Sequence, residues 1–66
     1  MNEEKKSVLI AENDEVVLDA LSSQFKKRGM FTITAQDGFA AYNRACKESP
    51  GLIIAEINIY ASLNYN

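Results

Sequence analysis

Two sets of carboxylates carry most of the chemistry this sequence offers. The first is Glu12-Asn13-Asp14-Glu15, which directly follows the apolar run Val8-Leu9-Ile10-Ala11. The second is Glu56, one carboxylate set within Leu52-Ile53-Ile54-Ala55-Glu56-Ile57. Carboxylate oxygens suit a hard divalent cation such as magnesium, and Glu12, Asp14 and Glu56 are the candidate ligands. Each has a plainer reading beside that one. Asp14 stands where a helix N-cap belongs, and Glu56 reads as an end-of-strand carboxylate at the solvent edge. Cys46 is the only cysteine and histidine is absent. An intramolecular disulfide is therefore impossible, and a structural zinc centre, which needs about four N or S ligands, is excluded. The thiol reads as a small core residue in preference to a redox sensor.

The elements that must position these groups follow from periodicity. Val8–Ala11 (β1) is a short β-branched run of the kind buried on both faces in a parallel sheet. A helix (α1) runs from a cap at Asn13 or Asp14 to Gly29, with Val17, Leu18, Leu21 and Phe25 inward and Asp19, Ser22, Ser23 and Lys26 outward. Asp14 and Glu15 complement its positive end, Lys26-Lys27-Arg28 its negative end, and Gly29 stops it. Phe31–Ala35 (β2) alternates apolar and hydroxyl side chains, as a half-buried edge strand does. Asp37-Gly38 opens a second helix (α2) reaching about Glu48, with Ala41, Tyr42, Ala45 and Cys46 inward, and Ser49-Pro50-Gly51 ends it. Leu52–Ile57 (β3) reads as a strand buried on both faces. Residues 60–66 show no period, and Tyr60, Leu63 and Tyr65 within them suit an interaction tail or a disordered end. The pattern predicts an α/β fold, β1-α1-β2-α2-β3, with a parallel sheet ordered 2-1-3 and helices on opposite faces.

Composition sets the frame. With 66 residues, 47% hydrophobic, 24% charged and a formal net charge of −2, the chain reads as one small soluble domain: a tail over 1–6, the β-α-β-α-β unit over 7–59, and a loop or tail over 60–66. Ordering each residue costs roughly 1.5 kcal/mol, so a chain this short needs a staple, and a partner chain is the one left open. The apolar stretch Val8–Ala11 is far short of a secretory core or a membrane span, which makes the cytoplasm the default location and excludes a membrane partner. The acidic balance argues against nucleic acid.

Four segments together resemble the receiver domain of bacterial response regulators, a CheY-like member of the flavodoxin-like folds. Val8-Leu9-Ile10-Ala11-Glu12-Asn13-Asp14-Glu15 is similar to its first strand and acidic loop, Gly29 closes the first helix at the family's spacing, and Ala35-Gln36-Asp37-Gly38 resembles its A-x-D-G. Pro50-Gly51-Leu52-Ile53-Ile54-Ala55-Glu56-Ile57-Asn58-Ile59 resembles its third strand. The resemblance runs from about Ser7 to the end of the chain. A complete receiver has five strands ordered 2-1-3-4-5 and a site at the carboxyl ends of strands one and three. The resemblance implies a truncated, N-terminal half, without the family's Thr or Ser after strand four and Lys after strand five.

It also implies that the site is degenerate. Glu12 matches the first acid of the family's pair, Asn13 falls on the acid that ligates magnesium directly, and Glu56 falls on the phosphoacceptor. Asp14 and Asn58 complete the pocket, and Tyr60 stands where the family usually has proline. An amide at the ligand position removes a charge from the site, and the extra methylene of Glu56 misplaces the acceptor. The expectation is no catalysis, no cofactor, weak magnesium binding at best, and a role as a protein-interaction or dimerisation module in two-component-like signalling. The alternatives are a fragment phosphorylated only when completed, or a truncated product with no function of its own. The expected partner is a second copy, or else a signalling protein, and the expected interface is Leu52, Ile53, Ile54, Ala55, Ile57 and Tyr60.

Overall fold

In the computed structural model, which describes residues 6–56, the chain forms β1 (Ser7–Ala11), α1 (Glu15–Lys27), β2 (Phe31–Ala35), α2 (Gly38–Glu48) and β3 (Leu52–Ala55). The sheet is parallel and ordered β2-β1-β3. Val8, Leu9 and Ile10 in the central strand are fully enclosed, with α1 on one face and α2 on the other. On the α1 face Val8 and Ile10 meet Leu18, with Leu21, Phe25, Met30 and Ile54 around them. On the α2 face Leu9 and Ala11 meet Ile33, Ala35 and Ala41, with Ala40, Ala45 and Ala55 around them. The period of two in β1 thus divides one run of apolar residues between two cores. Among the described residues, no helix is long and apolar enough to cross a membrane.

Local signals set the helix ends. Asp14 is the N-cap of α1, accepting from the Val16 and Val17 N–H groups at 3.0 and 3.4 Å, so the cap falls on Asp14 and not Asn13. At the other end Gly29 takes φ +82°. Its N–H donates to the Lys26 carbonyl at 2.9 Å, and that of Met30 to the Phe25 carbonyl at 3.1 Å, a Schellman closure. Asp37 caps α2 by accepting from the Ala40 N–H at 2.8 Å.

Several expected side-chain placements are corrected. On α1, Ser22 is buried and not turned outward, because it lies one turn above Leu18 on the same face. Val17, expected inward, is 41% exposed. On α2 the inward positions are Gly38, Ala41 and Ala45, whose small size lets the helix sit close to the sheet, while Tyr42 and Cys46 fall about a quarter-turn away and are exposed. Phe31 is exposed although it shares a face with buried Ile33, since the next inward position of α2 is the charged Glu48. In β3, expected to be covered on both faces, Leu52 and Ile53 are 44% and 46% exposed. Both helices pack chiefly on β1 and β2, which leaves β3 as a thinly covered edge.

Candidate functional site

The carboxyl ends of the strands gather the acids. Ala11 is matched with Ala35 on one side and Ala55 on the other. One residue further on, the Glu12 N–H donates to the Ala35 carbonyl and the Glu56 N–H to the Ala11 carbonyl, both at 3.0 Å. Glu12 and Glu56 thus leave adjacent strands at the same level, where strands lie about 4.8 Å apart.

Their environments differ. Glu12 is buried, and its Oε2 accepts the Asp14 N–H at 3.0 Å, which folds the loop back on itself and orients the cap. Glu56 is half-buried, whereas Asn13 and Asp14 are exposed. Glu12 and Asp14 therefore both have local backbone work. Among the described residues, no three acidic, cysteine or histidine side chains converge closely enough to hold a metal ion. The structure brings together the backbones of Glu12, Asp14 and Glu56, but not a three-carboxylate cage. Asn58, Ile57 and Tyr60 lie outside the described residues.

An open depression of about 480 Å³ lies on the other side of this end, around the β2 edge. Glu15 and Asp19 of α1, Thr34 and Gln36, and Ala40 and Arg44 of α2 contribute to its wall, and neither Glu12 nor Glu56 does. Its position fixes how the helices are turned. The Glu15–Asp19 flank of α1 and the Ala40–Arg44 flank of α2 face β2. By helical geometry, Val17 and Leu21 on α1, and Tyr42 and Cys46 on α2, lie on the flanks that face β3. The packing of Leu21 and Ile54 against one core agrees with this.

Charge is polarised along the strands. Glu12, Asp14, Glu15, Asp37 and Glu56 lie at the carboxyl end of the sheet, while Lys6, Lys26, Lys27, Arg28 and Lys47 lie at the amino end, where Glu48 is paired with Arg44 at 3.8 Å. Most of this is helix-end compensation, with acids at N-termini and bases at C-termini. A reading of the site confined to acids misses both the polarity and the apolar flanks over β3. Helix direction in a parallel α/β unit carried the first signal, and the apolar character of Val17 and Tyr42 the second.

Compared with protein-family models, with curated proteins and with solved structures, the chain matches none.

Proposed function

We propose that this chain is a degenerate, non-phosphorylatable receiver-like unit that acts through protein–protein contact in a two-component-like signalling setting, and not as an enzyme. One observation carries this reading. At the level where Glu12 and Glu56 leave adjacent strands, the Glu12 carboxylate is already held by the Asp14 N–H, and the exposed residue between them is the amide Asn13. A site for phosphoryl transfer needs a cation or fixed positive charge to offset charge on the transferring group. The only described bases that could supply it lie at the far end of the strands, apart from Arg44 in α2. The β3 side, with exposed Leu52 and Ile53, offers a surface for contact instead.

Acetyl phosphate with magnesium tests the reading. The expected outcome is no gain of a phosphoryl group by mass, and no change on restoring only one position, as Asn13→Asp or Glu56→Asp. An acyl phosphate formed on Glu56 of the unaltered chain would overturn it.

A further inference from the structure

The surface around β3 has three features that together specify an occupant. The first is its backbone edge. The Glu56 N–H points to Ala11, and the register pairs Leu52 with Val8 and Ile54 with Ile10. In a parallel ladder the groups directed at one neighbour alternate, so the Leu52 and Ile54 peptide groups face β1 and those of Ile53 and Ala55 face outward. The edge presents donors and acceptors together, and no charged side chain lies between Leu52 and Ala55.

The second is apolar cover that overhangs this edge from both sides. On the α2 face, where Ile53 is half-exposed, helical geometry turns exposed Tyr42 and Cys46 toward the β3 side, with Phe39, 63% exposed, further round toward solvent. On the α1 face, half-exposed Val17 lies by helical geometry on the flank turned toward β3, at the carboxyl end of the strand. The residues that the sequence pattern marks as inward, yet the fold leaves open, are the ones that face β3.

The third is the charge polarity, acidic at the carboxyl end of the strands and basic at the amino end. A neighbour that reversed the strand direction would set each acidic end beside a basic one. A parallel copy would set like ends together.

Resting on the reading of β3 as the contact side, we infer that its occupant is a second copy of this chain. The two β3 strands pair antiparallel about a two-fold axis normal to the sheet, giving the order 2-1-3-3′-1′-2′. Because a perpendicular two-fold preserves the faces of the sheet, residues of like parity oppose each other, and the seam centres on Ile53 or Ile54. With the seam on Ile54 the outward peptide groups of Ile53 meet those of Ala55 in the other copy, and with the seam on Ile53 those of Ile53 meet their equivalents. Glu56 of each copy lies toward the end of the other that carries Lys6 and Lys47. A four-residue edge is too small for a stable interface, for which roughly 800 Å² per partner is usual. The helix flanks supply the rest. The two α2 helices lie on the same face, each over β1 and β2, and so stand about four inter-strand spacings apart, roughly 19 Å, with Tyr42 of each copy on the flank turned toward the seam.

The test uses the full chain at several concentrations, by sedimentation equilibrium, with isotope-filtered NMR on mixed labelled and unlabelled copies. A dimer with inter-copy contacts across Ile53–Ala55 in antiparallel order is expected. Leu52→Lys and Ile53→Lys, at half-exposed positions that a folded monomer tolerates, weaken association by at least about tenfold while circular dichroism stays unchanged. Glu56→Lys weakens it as well, and Lys6→Glu in the same chain restores it. A dimer joined elsewhere overturns the inference. A monomer whose Ile53 and Ala55 amides exchange freely overturns the second copy and leaves the contact reading standing. A monomer with those amides protected by residues 57–66 overturns both.

Discussion

Ala11 and Ala55 are matched across parallel strands, and the Glu56 N–H reaches back to the Ala11 carbonyl at 3.0 Å. That bond extends the β1–β3 ladder by one residue and fixes Glu56 beside Glu12 at the sheet end. The relationship concentrates negative charge on two neighbouring strand ends, and the Glu12 carboxylate is the buried one, held by the Asp14 N–H. The end of the sheet is thus built as an acidic pole whose inner member serves the loop.

Magnesium binding is correspondingly expected to be weak. A cation drawing on Glu12 must compete with the Asp14 N–H, and Asn13 contributes an amide where a charge would help. Titration followed by amide shifts at Glu12, Asp14 and Glu56 is expected to show no saturation below millimolar magnesium. Asn13→Asp should tighten binding, and Asn13→Ala should leave it unchanged. Submillimolar, site-specific binding by the unaltered chain would count against this account of the loop.

The central strand dominates stability. Leu9 and Ile10 are enclosed in separate cores, and substitution of either by alanine removes contacts that no neighbour can replace. Each substitution is expected to cost roughly 2–5 kcal/mol, comparable with the whole stability of a small domain. Val16→Ala, at a site 77% exposed, should change stability by less than about 0.5 kcal/mol. Urea melts at fixed protein concentration check the contrast, and equal effects at Leu9 and Val16 would contradict the assigned core.

Much of this was legible beforehand because strong local signals agreed. The run Val8–Ala11 demanded cover on both faces, the two helical periods supplied it, and the order 2-1-3 followed. The errors share a cause. A helical wheel ranks residues by apolarity and so turns Val17, Tyr42 and Cys46 inward, whereas alanines at 41 and 45 set the close approach of α2. How wide a face is covered depends on what lies over β3, and that is a property of packing between elements. At the site, the acids were legible by type. The bond from the Asp14 N–H to Glu12, which gives one acid a structural task, depends on a loop conformation with no sequence period.

The helix caps make a graded prediction. Asp14 accepts two N–H groups and is itself held by Glu12, while Asp37 accepts one described N–H. Asp14→Ala is expected to cost about 1–2 kcal/mol and Asp37→Ala about 1 kcal/mol, with Ser at either site recovering most of the loss. Glu12→Gln should keep an acceptor for the Asp14 N–H and cost less than Glu12→Ala. Thermal melts of the set at one concentration would reveal an inverted order if Glu12 had no part in orienting the loop.

The two described residues with positive φ make an opposed pair. Gly29, at φ +82°, meets the conformational demand of the α1 terminus without strain, and no atom lies within 4 Å of where a Cβ would stand. Ser49, the C-cap of α2, takes φ 46° and ψ 58° with a side chain attached, and its N–H donates to the Ala45 carbonyl at 3.0 Å. The left-handed region costs an L-residue roughly 1–2 kcal/mol, of which the greater freedom of glycine in the unfolded chain returns a part. Gly29→Ala is therefore expected to destabilise by about 1 kcal/mol through backbone strain alone, since there is no clash to relieve. Ser49→Gly should stabilise by roughly 0.5–1 kcal/mol, and Ser49→Asn by less. Because Pro50 and Gly51 lead directly into β3, where the Gly51 N–H bonds to the Ser7 carbonyl at 3.1 Å, the gain should also appear as slower exchange of the Gly51 amide. Loss of stability in Ser49→Gly would mean that the hydroxyl, and not the backbone angle, determines how α2 ends.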